Sequence, residues 1–230
     1  AYLVHLMEEK RKEEGWDVKF IFMDTGAEHP ATYQFIRDVV ASTGIELTCL
    51  RTVFNPELGK ANTYQIIPLS ECKPDLQPWR DMLSKYSTPY NPSGAFCTDR
   101  MKLVPYTKYC NETFGREGYT TWLGIRADET KRLKPREHVD YLASISDFDK
   151  QDVFEWWDEQ PYNLGIEDPL GNCVFCIKKG TNKIAIAERY EPEMAKEFMA
   201  VLEEPTVRVV EKRKAPLLSM YRGQVSMKGV

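Results

Sequence analysis

The hydrophobic positions of the chain change between helical and strand-like spacing several times in its first quarter. Residues 2–7 are apolar at helical spacing and lead into a charged run, whereas residues 16–24 form a β-rich run. A turn containing Pro30 follows, then a helix predicted over 31–42 and a second strand over 45–53. This alternation predicts an α/β fold with a mainly parallel sheet flanked by helices.

The rest of the chain favours helices separated by loops and one strand. Further helices are predicted over 76–86, 99–114, 149–159 and 181–204, and a strand over 118–125. Pro105 and Pro192 interrupt two of these helices, because proline lacks the amide proton that a helix interior uses. Residues 87–95 and 126–137 are predicted loops. The weakly periodic stretch 207–230 is expected to end in a strand or an extended arm.

Composition and charge restrict the partners that the protein can have. The 230 residues carry 31 basic and 35 acidic side chains, so no overall charge attracts nucleic acid or membrane. At 42% hydrophobic, the chain can form a substantial core. The longest apolar runs are too short to cross a bilayer, and no signal-peptide pattern is evident. We therefore expect a cytoplasmic protein without a membrane partner.

The segment 23–35, MDTGAEHPATYQF, runs from a strand end through a glycine turn into a helix. Open α/β sheets bind ligands beyond the carboxyl ends of their strands, so Asp24, Thr25 and Gly26 are candidate ligand-binding residues. Glycine permits the close approach of a flat ring, and threonine offers a hydroxyl. An ordinary strand–turn–helix, with Glu28 and Pro30 as helix-start residues, explains the same sequence equally well, and this alternative stays open.

A second segment of this kind, WLGIRADETKR at 122–132, also leads from a strand into a glycine turn. Arg126 and Arg132 follow the turn, and a guanidinium group can bind two oxygens of a phosphate or sulfate at once. The alternative interpretation is a solvated charged loop. The position after a strand end favours anion binding.

The cysteines provide a third candidate site, with Cys173 and Cys176 spaced as CxxC in GNCVFCIKKG. Such a pair fits zinc, an iron–sulfur cluster or a redox dithiol, and an incidental pair in a loop stays open. Metal binding is favoured because two lysines follow the pair and would offset thiolate charge. Cys97 begins a predicted helix, whose N-terminus favours a thiolate. Cys49 lies in a predicted buried strand and is expected to pack there.

Four stretches together resemble one family. They are DTGAEHPATYQF, similar to an LDTG–PETY element; CTDRMKLVP, similar to CCxxRKVxP; GIRADETKR, similar to a GQRxxQS-like element; and the distant CxxC. In these four elements the chain resembles the sulfonucleotide (APS/PAPS) reductase and N-type ATP pyrophosphatase family, over residues 2–180. The resemblance implies an adenine nucleotide alpha hydrolase-like, Rossmann-type fold.

The resemblance also implies ligands. An adenine nucleotide, either ATP or APS/PAPS with Mg²⁺ as an optional companion, would be bound by Asp24, Thr25, Gly26, Lys102, Arg126 and Arg132. An iron–sulfur cluster, expected as [4Fe–4S], would be held by Cys97, Cys173 and Cys176. Residues 1–146 would then form the nucleotide-binding core, and residues 147–230 a cysteine-containing, helical C-terminal region.

The chain departs from the family pattern in three places. The phosphate loop and first strand are missing, so we expect them upstream and expect this chain to bind ATP poorly. The tandem cysteines are replaced by Cys97–Thr98, which leaves the fourth cluster ligand open among Cys110, Cys72 and an iron without a protein ligand. No cysteine follows Cys176, which disfavours sulfate reduction by the usual thiol route.

These observations favour a nucleotide-dependent, sulfur-handling enzyme that uses an iron–sulfur cluster. Its expected reaction is ATP-activated transfer from a sulfur donor to nucleic acid or a small molecule. Two alternatives stay open: an adenylyl-sulfate or phosphoadenylyl-sulfate reductase, and a non-catalytic module of the same fold stabilised by zinc. The sequence also leaves open whether the protein forms a homo-oligomer.

Overall fold

A computed structural model describes residues 2–86, 90–91, 94–204, 220–221 and 225–226 of the chain. Its α-helices are α1 (Tyr2–Glu13), α2 (Pro30–Thr43), α3 (Gln77–Tyr86), α4 (Val104–Phe114), α5 (Lys150–Asp158), α6 (Thr181–Tyr190) and α7 (Pro192–Glu203). Its strands are β1 (Phe20–Met23), β2 (Leu47–Val53), β3 (Thr63–Ile67), β4 (Tyr90–Asn91), β5 (Gly94–Ala95), β6 (Thr121–Leu123), β7 (Val139–Tyr141), β8 (Met220–Tyr221) and β9 (Val225–Ser226).

The chain is a mixed α/β protein with small sheets. Strands β1, β2 and β3 form one sheet in that order, and β6 pairs in parallel with β7. Strand β3 runs antiparallel to β2, with Cys49 opposite Ile67, which corrects the prediction of a mainly parallel sheet at this point. The reason is the short link 54–62, since a parallel crossover needs a dozen or more residues.

Proline and glycine set several helix boundaries as the sequence predicts. Pro30 begins α2, and Gly44 follows its end in a left-handed conformation (φ 68°), with its N–H bonded to the carbonyl of Val40. Pro192 separates α6 from α7 and confirms the predicted break. At Pro105 the predicted interruption is a change of helix type, from the π-helical segment Thr98–Leu103 to α4.

The chain divides into two compact units, and the segments of each come from both sides of residue 146. The first unit comprises Ala1–Ile21, Gln34–Thr48 and Tyr109–Gly165. Its core contains Val39, Ile45 and Trp157, and the ring of Trp157 packs edge-on against Phe35 at 5.1 Å. The predicted division into 1–146 and 147–230 stays a prediction.

The second unit comprises Phe22–Tyr33, Cys49–Lys108 and Ile166–Val230. Helix α7 packs on α3 and α6, and the rings of Trp79 and Phe198 meet at 4.9 Å. Val174 and Phe175, which lie between the CxxC cysteines, belong to this core. The cysteine loop is therefore built into the hydrophobic interior of the second unit.

Two further predictions concern loops and membranes. Residues 87–95 were expected to form a loop; within the described part, β4 and β5 pair there as a short antiparallel ladder. Strands β8 and β9 pair near the end of the chain, and the rest of 207–230 lies outside the described residues. None of the described helices has the length and apolar character to span a membrane.

Candidate functional site

Strand β1 is followed directly by Asp24, whose carboxylate is fully buried. One of its oxygens accepts hydrogen bonds from Arg51 Nε (3.0 Å) and Nη2, and the other accepts from the N–H of Gly26 (3.0 Å) and the hydroxyl of Tyr33 (2.9 Å). Burial raises the pKa of Asp24, and the hydrogen bond from Arg51 acts in the opposite direction. Both carboxylate oxygens are thus occupied within the protein.

The turn after Asp24 depends on Gly26. Its φ of 68° is left-handed, and a Cβ on this residue would lie 2.8 Å from Asp75 Oδ1 and 3.1 Å from the backbone nitrogen of Leu76. The Gly26 carbonyl also accepts a 3.0 Å bond from the N–H of Leu76. Conformation and close backbone packing therefore both require glycine here.

A buried polar cluster follows the turn and centres on Glu28, which is 5% exposed. The Thr25 hydroxyl lies 2.9 Å from Glu28 Oε1 and 2.8 Å from Oε2, and the Tyr33 hydroxyl lies 3.2 Å from Oε2. Burial, together with the charges of Glu28 and Asp24, raises the pKa of Tyr33, so its hydroxyl stays a hydrogen-bond donor. These donors hold the carboxylate of Glu28 in one orientation.

Backbone pairing brings the CxxC loop to this cluster. Glu28 and Cys173 form an antiparallel bridge, and the N–H of Val174 donates to the carbonyl of Ala27 at 3.0 Å. Cys173 Sγ lies 3.6 Å from Glu28 Oε1 and 3.6 Å from the hydroxyl of Thr25. Burial, with the charge of Glu28 adding to it, raises the pKa of Cys173. The thiol of Cys173 faces the carboxylate of Glu28 as a hydrogen-bond donor.

Lys102, in the π-helical segment, is a charged neighbour of all three predicted cluster ligands. Its Nζ lies 3.7 Å from Glu28 Oε1. Burial acts to lower the pKa of Lys102, but interactions with Cys173, Glu28, Cys97 and Cys176 raise it overall. The surroundings of Lys102 therefore favour positive charge despite burial.

Cys97 immediately precedes the π-helical segment. Burial and the neighbouring Cys176 raise the pKa of Cys97, whereas the N–H of Thr98 and the ammonium groups of Lys102 and Lys178 act to lower it. Cys97 and Cys176 thus interact electrostatically, although they are far apart in sequence. The three predicted thiol ligands are brought to one part of the second unit.

The donors can be compared with what a metal centre requires. Among the described residues, no group of three His, Cys, Asp or Glu side chains is placed to hold a metal ion. Each iron of a [4Fe–4S] cluster takes its own cysteine, so the ligating sulfurs lie farther apart than the ligands of one ion. Three thiols near lysine ammonium groups fit such a cluster in chemical type, one ligand short of four.

The remaining cysteines have other surroundings. Cys72 and Cys49 are buried beside each other and share a thiol–thiol hydrogen bond, which raises the pKa of Cys72 and lowers that of Cys49. The expectation that Cys49 packs in a buried strand is met, since it is 1% exposed in β2. Cys110 lies in α4, buried in the first unit, where it interacts with Tyr119. All six cysteines are described, and none forms a disulfide.

The arginines of segment 122–132 belong to the first unit and bind their own neighbours. Arg126 Nε lies 2.8 Å from Asp128 Oδ1, and Arg132 Nη1 bonds to Glu129 Oε1. The side chain of Arg132 is 62% exposed. Their assignment to a nucleotide site stays a prediction, as does that of Asp24, Thr25 and Gly26.

Sequence reasoning missed the importance of Glu28, Tyr33 and Arg51. The sequence gives Glu28 a role only in the alternative interpretation of segment 23–35, as a helix-start residue. In the structure Glu28 precedes α2 and is the centre of a buried polar cluster. The available signal was that Thr25, Glu28 and Tyr33 all fall within the one segment DTGAEHPATY. Arg51 gave a weaker signal, a single cation inside the apolar strand β2.

Comparison with known proteins identifies one relative by sequence. The chain is 51% identical over 233 residues to the "Uncharacterized nin region protein ORF290" of Escherichia phage lambda, an alignment that covers 100% of this chain and 79% of the relative. No family model matches the chain. No solved structure matches it either.

Proposed function

We propose that this chain, which belongs to the family of the phage lambda nin region protein ORF290, is a sulfur-handling enzyme with an iron–sulfur cluster. Cys97, Cys173 and Cys176 are the proposed cysteine ligands, and an adenine nucleotide is the proposed activating substrate. The finer fold assignment, adenine nucleotide alpha hydrolase-like, is part of this proposal.

The observation that carries the proposal is the shared neighbourhood of the three thiols. Each of them interacts with the ammonium group of Lys102, although the CxxC pair is about 75 residues from Cys97 in the sequence. An incidental cysteine pair in a loop gives no reason for a third thiol and a partly exposed lysine to share its surroundings. Cysteine thiolates are the ligands of an iron–sulfur centre, and nearby ammonium groups stabilise their negative charge.

The chain's own residues have definite roles in this proposal. Bound there, a cluster would supply iron with affinity for sulfur anions and the capacity to exchange electrons. Lys102 and Lys178 would offset the negative charge of the ligating sulfurs, since both act to lower the pKa of Cys97 against the effect of burial. Thr25 and Glu28 orient Cys173, and the core residues Val174 and Phe175 limit access of water.

The nucleotide part of the proposal rests on the strand end at β1 and on the resemblance of segment 23–35. Asp24 and Thr25 are fully buried, so their proposed role is to shape the turn. Lys102, which is partly exposed, is the proposed contact for an anionic phosphate or sulfate. Arg126 and Arg132 lie in the first unit and bind acidic neighbours there, so their assignment to a phosphate rests on the resemblance alone. The sulfur acceptor is proposed to be a nucleic acid or a small molecule.

The cluster is tested by measuring iron, acid-labile sulfide and zinc in anaerobically purified protein. We expect iron and sulfide in the wild type, and loss of most of both in Cys97→Ser, Cys173→Ser and Cys176→Ser. Cys49→Ser is the control, since Cys49 lies in the same unit, is more buried than the three proposed ligands and bonds to Cys72. Stoichiometric zinc without iron would contradict the proposal and support a zinc-stabilised module.

The nucleotide is tested by incubating the iron-loaded protein with inorganic sulfide, total RNA as the sulfur acceptor and a high concentration of ATP, since weak ATP binding is expected, and by measuring AMP release. We expect AMP formation that requires the loaded protein and falls at least about tenfold in Lys102→Ala, which removes the charge at the proposed anion contact. Lys85→Ala is the control, because Lys85 is buried in the same unit but bonds to Asn62. Reduction of adenylyl sulfate without AMP release from ATP would support the reductase alternative.

A further inference from the structure

Two thiols outside the proposed cluster site lie side by side in the second unit. Cys49 in β2 and Cys72 are 1% and 0% exposed, and their thiols share a hydrogen bond. The path of the chain explains the contact. Cys49 is paired with Ile67 at the end of β3, and the 3₁₀ turn Leu69–Glu71 leads from there to Cys72. The pairing of β2 with β3 therefore places the two sulfurs together.

The two thiols flank residues that support the turn at Gly26. Arg51 follows Cys49 by two residues, so both side chains lie on the same face of β2. Arg51 Nη1 bonds to Asp75 Oδ2 at 2.9 Å, and the Asp75 side chain lies against the turn at Gly26. Asp75 in turn follows Cys72 by three residues. A covalent bond between the sulfurs would fasten β2 to the segment that leads into α3.

We propose that Cys49 and Cys72 form an oxidation site, at which a peroxide joins the two thiols in a disulfide. Hydrogen peroxide suits a pair this deeply buried because it is little larger than water, whereas thiol–disulfide exchange with a bulky disulfide requires access to the thiol. The inference goes beyond the proposed function and does not rest on it, since neither residue is among the three proposed cluster ligands.

The hydrogen bond between the thiols sets the order of the steps. The bond from Cys72 lowers the pKa of Cys49, which makes Cys49 the attacking sulfur. Its thiolate forms a sulfur–oxygen bond as the oxygen–oxygen bond of the peroxide breaks, and the departing hydroxide takes up the Cys49 proton to give water. The sulfur of Cys72 then displaces the hydroxyl of this sulfenic acid, which leaves with the Cys72 proton as a second water. The two thiols lose two electrons in total, and these reduce the peroxide.

The test treats the folded chain with hydrogen peroxide, removes the excess with catalase, and blocks the remaining thiols with N-ethylmaleimide in urea. Tryptic peptides are then mapped by mass spectrometry without reductant. Cys49 lies in peptide 38–51 and Cys72 in peptide 61–80, because trypsin does not cut before proline. We expect these two peptides to be joined, with a mass two hydrogens below their sum, and to be separated by dithiothreitol.

Thermal unfolding of the same samples tests what the bond does to the protein. A disulfide between residues 49 and 72 restricts the unfolded chain, so peroxide should raise the melting temperature of the wild type by roughly 5 °C relative to Cys72→Ser treated in the same way. Cys110→Ser is the control, since it changes a buried cysteine of the first unit. It should form the linked peptide and show the same shift as the wild type.

Several results would overturn the proposal. One is a folded wild type without the linked peptide, or with it only after oxidation in urea, since the native contact would then play no part. Separate sulfinic acids on Cys49 and Cys72 would also overturn it, and an unchanged melting temperature in fully linked protein would contradict the support given to the turn at Gly26. If Cys72→Ser fails to fold, as judged by circular dichroism, oxidised wild type that is reduced again with dithiothreitol replaces it as the reference.

Discussion

Two segments of this protein have the same sequence pattern and different structures. Segments 23–35 and 122–132 both run from a strand through a glycine turn into polar residues. In the first, Asp24, Thr25 and Glu28 are buried. The hydroxyl of Thr25 bonds to Glu28, and the hydroxyl of Tyr33 bonds to both carboxylates. In the second, Arg126 binds Asp128 two residues away, at the surface. The difference shows that burial, which the pattern does not encode, separates a built polar site from a solvated loop.

The largest expected difference between the two segments concerns their carboxylates. Asp24→Ala removes a fully buried partner of Arg51 and should lower the free energy of unfolding by about 3 kcal/mol, because a buried charge loses its partner. Asp128→Ala should cost much less than Asp24→Ala, since the pair is exposed. Urea denaturation measures both. Equal effects would contradict the contrast between the segments.

The glycines give the next largest difference. Gly26→Ala should lower the free energy of unfolding by about 3 kcal/mol, since a left-handed φ and a close contact at 2.8 Å both oppose a side chain. Gly44→Ala has the same φ of 68° but nothing within 4 Å, so it should cost only about 1 kcal/mol. Gly124→Ala meets only Leu3 Cβ at 4.0 Å and should be nearly neutral. Thermal unfolding of the three variants tests this order, and a Gly26→Ala no worse than Gly44→Ala would contradict it.

Carboxylates of the two units should also differ in their response to pH. Hydrogen bonding from Arg11 lowers the pKa of Glu8 to about 2, so the stability that Glu8 contributes is lost as pH falls from about 4.5 to about 2. The cost of Glu8→Gln, about 1 kcal/mol at pH 7 because Arg11 is partly exposed, should therefore shrink at pH 3. Burial raises the pKa of Asp24, so the cost of Asp24→Asn should grow as pH falls. Urea denaturation of both variants at pH 7 and pH 3 measures how the cost of each substitution changes with pH. Costs that change in the same direction would contradict the opposite pKa shifts of Glu8 and Asp24.

The smallest expected effect is the coupling between Arg126 and Asp128. A double-mutant cycle on this pair should give a coupling free energy close to the limit of detection, and high salt should remove most of it, because the ions are exposed to solvent and screened. A coupling of several kcal/mol that resists salt would mean that segment 122–132 contains a built site like segment 23–35.

How much could be predicted from sequence depends on the range of the interaction. The ends of α2 and α6 could be predicted, because Pro30, Gly44 and Pro192 act on their own backbone. The turn at Gly26 was identified as special for the same local reason. The contact of Glu28 with Cys173 joins residues 145 positions apart, and no periodicity records which distant backbone pairs with a turn. Likewise, hydrophobic spacing places Arg51 in a strand but does not say that its charge meets Asp24.

The central claim is that the protein holds an iron–sulfur cluster at Cys97, Cys173 and Cys176, beside the buried Glu28. It is tested most directly by X-ray absorption of anaerobically isolated protein at the iron and zinc K edges. The account predicts an iron edge whose first shell is mainly sulfur, with a short iron–iron distance characteristic of a cluster. An absent iron edge, or a zinc edge with a four-sulfur shell, would contradict it.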